Sequence, residues 1–170
     1  MQLTREDWIK AGLKQLAEAG IHEVRIEILA RTLDISKGSF YHYFRNRKEL
    51  LDSILDYWED YATKRIIQSV EQDDFSLEQL LQISIHRDKK IEIGIYAWGK
   101  HDPNVASRLV DIEEQRIKCI AMLFQKKGLL PTEAIERARL TYLTYVGWMT
   151  RFEANTNFDI EKMFLILLNM

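Results

Sequence analysis

A chain of 170 residues with 46% hydrophobic and 29% charged residues has the make-up of a folded domain or two, and not of a disordered protein. A net charge of −2 excludes a uniformly basic nucleic-acid binder, and the single Cys119 excludes both a disulfide framework and a cysteine-based zinc site. The opening "MQLTREDWIK" is charged where a signal peptide would be apolar, and no stretch reaches ~18 apolar residues, so a cytoplasmic protein is expected.

The segments read as helix almost throughout, with only 7 Gly and 2 Pro to interrupt them. "LTREDWIKAGLKQLAEAG" begins with Thr4 three residues before Asp7, a capping-box-like start. It sets Ile9, Leu13, Leu16 and Ala17 on one stripe and stops at Gly20. "IEILARTLD" follows, with Ile26, Leu29, Ala30 and Leu33 at helical spacing, and Asp34 suits a tight turn. Ser36 is placed to cap a very short third helix, and Asn46 a fourth running from about Arg47 to Glu71. That run of ~25 residues would be about 36 Å long.

"QDDFS" breaks the chain before helical material resumes at Leu77, and Pro103 in "HDPN" breaks it again. "VASRLVDIEEQRIKCIAMLFQKKG" predicts one amphipathic helix ended by Gly128, with Cys119 as a buried packing residue. "PTEAIERARLTYLTYVGWMTRFEA" predicts another with Pro131 at its start, and "FDIEKMFLILLNM" a short apolar last one. No strand alternation or internal repeat is seen. The class is all-α, with about nine helices.

Charge is unevenly spread. Residues 1–48 hold nine Lys/Arg against six Asp/Glu, whereas residues 49–170 hold fifteen against twenty. The cationic excess lies around "ISKGSFYHYFRNRKEL" (35–50), where a local patch can attract phosphate although the whole chain is acidic. On a helical wheel from Lys37, Phe40 and Phe44 fall within about 40° of each other, while Gly38, Ser39 and His42 lie opposite. Two rings would pin the element from behind. Lys37, the hydroxyls of Ser36, Ser39 and Tyr41, and the open backbone at Gly38 would face outward and suit a phosphate-lined groove. Arg45 and Arg47 follow at once. Helix, turn and short exposed helix make a helix-turn-helix, whose second helix fits the major groove. Spacing alone leaves open a charged surface over an ordinary three-helix packing unit.

"LKQLAEAGIHEVRIEILARTLDISKGSFYHYFRNRKELLDSIL" resembles the DNA-binding region of tetracycline-repressor (TetR) family regulators, through "LAEAG", "LA", "ISKGSFYHYF" and "NRKEL" in order and at family spacing. The resemblance covers about the first 55 residues. It implies that Lys37, Gly38 and His42 approach bases, and that Ser39, Tyr41, Tyr43 and Arg47 approach phosphates, methyls or sugars. Three positions depart from the family pattern. Arg25 stands in place of a capping Thr or Ser and can still reach phosphate, Asp34 replaces a turn glycine, and Tyr43 replaces a His.

Two domains are therefore expected: residues 1–55 for DNA binding, and 56–170 for effector binding and dimerisation. Trp58, Tyr61, Tyr96, Trp98, His101, Met122, Tyr145 and Trp148 are large side chains with polar handles, suited to a ligand pocket or to simple packing. Family resemblance implies dimerisation through the last two helices. There "LTYLTYVGWM" and "MFLILL" offer Leu140, Thr144, Gly147, Trp148, Phe164, Leu167 and Leu168, residues that one chain's own core would also accommodate. His86 with Asp88, and His101 with Asp102, lack a nucleophile, a Gly-rich loop or a third ligand, so neither an enzyme nor a cofactor or metal site is expected. The expectation is a homodimeric regulator, a repressor released from a palindromic double-stranded operator by an unknown small-molecule effector and not associated with membrane. A helical protein-interaction module without DNA binding is the alternative, with an all-α enzyme behind it.

Overall fold

The computed structural model describes residues 3–72, 75–151 and 159–169. Among these it is all-α, with nine α-helices: α1 (Arg5–Ala19), α2 (Ile26–Thr32), α3 (Arg47–Glu59), α4 (Arg65–Glu71), α5 (Leu77–His86), α6 (Lys89–Gly99), α7 (Pro103–Lys126), α8 (Pro131–Arg151) and α9 (Ile160–Asn169). Two central residues of "QDDFS", and the end of the expected eighth helix past Arg151, lie outside the described residues.

The boundaries follow from the residues at them. Thr4 caps α1 in a closed capping box: its hydroxyl accepts from the Asp7 amide at 3.3 Å, and its own amide donates to the Asp7 carboxylate at 2.7 Å. Gly20 ends the helix at φ +82°, a conformation that other residues resist. Asp34 takes the turn after α2 at φ +53°, as its local hydrogen-bonding capacity allows. Asn46 caps α3 by accepting from the Glu49 amide at 3.0 Å, and Ser76 forms a second capping box with Gln79 at the start of α5.

Two expectations need correction. The third element is not a two-turn α-helix capped by Ser36 but a 3-10 turn, Lys37–His42, to whose amides the Ser36 side chain makes no cap bond. Six residues closing i+3 bonds suffice because tertiary packing, not helix propensity, holds the segment. The long fourth helix is helical over the expected span but irregular. Between α3 and α4 a π-turn occupies Asp60–Lys64, widening the coil by one residue.

The chain divides into two compact units, Met1–Tyr61 with Asp88–Leu109, and Ala62–Arg87 with Val110–Met170. In the first, α1 packs on α2, α3 and α6 around Trp8, Leu16, Val24, Leu29, Phe40, Leu50 and Ile54, all nearly or fully buried. Two glycines allow close approach to α1 or from it. A Cβ at Gly12 would stand 2.4 Å from Ile54 Cδ1, and one at Gly94 on α6 would stand 3.1 Å from the Leu16 carbonyl oxygen. Trp58 on α3 donates its indole N–H to the buried Glu92 of α6 at 3.0 Å.

In the second unit a core of Val70, Leu77, Leu81, Cys119, Leu123, Phe124, Ala138, Tyr142 and Phe164 joins α4, α5, α7, α8 and α9. Burial pushes the Cys119 thiol up to about 11, leaving it a neutral packing group. Among the described residues no helix is long and apolar enough to cross a membrane, and no group of three His, Cys, Asp or Glu side chains could hold a metal ion.

Candidate nucleic-acid interface

Two rings hold the 3-10 turn from behind. Phe40 is 0% and Phe44 2% exposed, and the pair stacks with centroids 5.2 Å apart. Trp8 meets Phe40 edge-on at 5.2 Å, while the Arg5 guanidinium lies 4.7 Å over the Phe44 ring. Phe44 follows the turn proper, and its amide bonds the Phe40 carbonyl at 3.0 Å, bringing the second ring onto the first despite the tighter winding.

The outer side of the turn is open. Ser36, Lys37, Gly38, Tyr41 and His42 are exposed, with Ser39 partly so. Tyr41 presents 56% of its surface while one edge of its ring rests on Phe40 at 5.3 Å. Around Gly38 an added Cβ would meet only Ser36 Oγ, at 3.7 Å, so the fold does not demand glycine there.

Four cations on the turn and in the segments flanking it are paired with carboxylates. The Lys37 ammonium is ion-paired with Glu27 in the first turn of α2; the hydrogen bond between them raises the lysine's pKa and lowers the glutamate's. Arg25 pairs with Glu23 at 2.6 Å, Arg45 with Glu49 at 3.1 Å, and Lys48 with Asp52 at 2.7 Å. The Arg45 amide also donates to Glu49 at 2.9 Å, the leading cause of that carboxyl's lowered pKa.

Two of the expected contact residues are engaged within the unit. Arg47 is half-buried, its Nε donating to the Val24 carbonyl and its Nη2 to the Ile21 carbonyl, both at 2.6 Å. Tyr43 donates its hydroxyl to the Leu3 carbonyl, tying the chain start to the end of the turn. Both brace the segment that carries the open face. Sequence reading passed over Glu27, because a single acid in a helix's first turn looks like ordinary dipole complementation.

The remaining candidates scatter. Of the aromatic set, Trp58 and Trp98 are buried in the first unit at 2% and 5% exposure, whereas Tyr61 and His101 are exposed and Tyr96 is half-buried. Met122, Tyr145 and Trp148 are half-buried in the second unit, where the last two rings lie 6.1 Å apart. Of the interface set, Phe164 and Leu168 are core residues, and Thr144, Gly147, Trp148 and Leu167 are half-buried. Leu140 is exposed, as are Leu143 on α8 and Leu165 and Ile166 on α9.

Residues 9–54 match the family model described as bacterial regulatory proteins, tetR family. The transcriptional regulator AcuR of Cereibacter sphaeroides is 31% identical over 67 residues, which cover 39% of this chain and 31% of AcuR. Across its curated relatives the match spans between 20% and 62% of their length. Among solved structures, Salmonella enterica GusR is 21% identical with a TM-score of 0.70, over 98% of this chain and 95% of that one. A protein from Saccharomonospora viridis crystallised with choline is 18% identical with a TM-score of 0.73, over 97% and 93%. These two likenesses establish the shared fold. Residues 9–54 therefore carry a domain of the tetR family, within a chain whose fold is the one seen in these structures.

Proposed function

We propose that the chain is a homodimeric, cytoplasmic DNA-binding transcriptional regulator, a repressor released from a palindromic operator by a small-molecule effector. The observation that carries this reading is the open 3-10 turn, bearing Lys37, Gly38, Tyr41 and His42 outward while Phe40 and Phe44 anchor it. In this reading Lys37, Gly38 and His42 meet base edges in the major groove. Arg25, Ser36, Ser39 and Tyr41 meet the backbone, and Tyr43 and Arg47 hold the turn at the height the groove requires.

One such module binds weakly, so two copies on a two-fold site are proposed, their half-sites ~34–36 Å apart. The exposed Leu140, Leu143, Leu165 and Ile166 supply an apolar face for the second copy. A choline complex within this architecture supports a small-molecule effector for the C-terminal part, where Tyr145, Trp148 and Met122 remain only half-buried. An effector that binds one conformation better shifts the population toward it and moves the two reading turns off the half-site spacing. A coupling of ~1–3 kcal/mol would alter operator affinity about 5- to 150-fold. No catalysis or cofactor enters this account.

Selection of bound duplexes from a random DNA pool tests the proposal. The expected product is a consensus of two inverted half-sites one helical turn apart. A pool that emerges without enrichment at low salt would favour a protein-interaction module instead.

A further inference from the structure

Four exposed cations lie on the turn or in the segments flanking it, and each is beside a carboxylate. Two of these pairs join residues four positions apart, a generic habit of helical segments, and a third, Arg25 with Glu23, joins near neighbours just before α2. The fourth differs. Lys37 and Glu27 are ten residues apart and bridge the first turn of α2 to the first residue of the 3-10 turn, at the tip that would enter the groove. Both side chains are more than half exposed, at 51% and 58%, so burial does not force them together.

Building on the DNA-binding reading above, we propose that Glu27 is a specificity-determining residue. It occupies the Lys37 ammonium and yields it only to a base edge offering an acceptor for the lysine and a donor for the carboxylate. The physical reason lies in what each surface presents. Backbone phosphate is acceptor only, so handing Lys37 to a phosphate leaves Glu27 facing another anion without a donor. The major-groove edge of a G·C pair sets the O6 and N7 acceptors of guanine beside the N4 amino group of cytosine, which suits a lysine beside a glutamate. Sequence-independent binding would therefore leave the pair closed, and Lys37 would add nothing to it. Opening at a matching site lets both members find partners. An exposed ion pair is weak, so the device acts over a few-fold range and not as an on–off switch.

The test is a double-mutant cycle on DNA affinity, using Glu27→Gln, Lys37→Gln and the double variant. Each is titrated at several salt concentrations against an enriched duplex and an unrelated one. Glu27→Gln frees Lys37 for phosphate, so its affinity for the unrelated duplex should rise about 3-fold or more. The slope of log affinity against log salt should steepen by nearly one unit, the mark of one extra phosphate contact. The preference for the enriched duplex should fall correspondingly. In the Lys37→Gln background these gains should vanish, because Glu27 acts through that lysine. Equal gains with and without Lys37 would mean that any lost negative charge does the same, which overturns the inference while the DNA-binding reading stands. An unchanged or weaker Glu27→Gln also overturns it. Wild-type protein that binds neither duplex overturns the reading and the inference together. Melting of all four proteins at one temperature serves as the folding control, since both positions are exposed.

Discussion

Gly38 has space around it that the fold leaves unused, since its nearest neighbour to an added Cβ is a serine hydroxyl at ordinary contact distance. Gly38→Ala should therefore hold stability within about 0.5 kcal/mol by urea unfolding. Affinity for an enriched duplex should drop ~5-fold or more, because the methyl group stands between backbone and groove. Arg47 makes the opposite case. Its guanidinium is spent on two carbonyls before α2, so Arg47→Ala should cost about 1.5–3 kcal/mol of stability by the same measurement. Lysine should rescue little, because one ammonium cannot serve both carbonyls in the same geometry. Asp34, at φ +53°, should tolerate Gly without loss and lose about 1 kcal/mol as Ala, read as a shift in the unfolding midpoint.

At the scale of elements, capping chemistry and apolar spacing carried much of the sequence reading. Thr4 with Asp7, Asn46, and the proline opening α8 each mark a helix start through a local feature that needs no knowledge of the fold, whereas Pro103, expected only to break the chain, is the first residue of α7. What stayed hidden depends on distant partners. The 3-10 segment Lys37–His42 packs Phe40 against the distant Trp8, and the π-turn at Asp60–Lys64 adds one residue to a run that reads as continuous helix. The docking of α6 on α1, through Gly94 against the Leu16 backbone, is equally invisible in either segment alone. On the face itself, the exposure of Lys37 and Tyr41 followed from the ring spacing. The engagement of Lys37 by Glu27 did not, because it joins two elements whose separation the turn sets. The last two helices show the same limit: "MFLILL" is apolar throughout, yet only packing decides that Phe164 goes inward while Leu165 and Ile166 stay outside. Leu143→Glu and Leu165→Glu should therefore convert a dimer to monomer in sedimentation velocity, with helical content unchanged. Dimers that persist in both variants would place the interface elsewhere.

At the scale of the whole molecule, the proposed reading face is small and the rest of the sequence is net acidic. The first unit gathers α1, α2, α3 and α6 around one core, and because residues 49–170 are net acidic, the proposed attraction to DNA is confined to a local patch. Specific binding must then rest on shape and on a few side chains, not on net charge. The most direct measurement is the amide chemical-shift map of the protein titrated with an enriched duplex. The account predicts that the largest shifts fall on residues 36–43, with Arg25 and Glu27 beside them, while the amides of Phe75–Leu81 stay in place. Shifts concentrated outside the first unit, with Lys37–His42 unmoved, would contradict it.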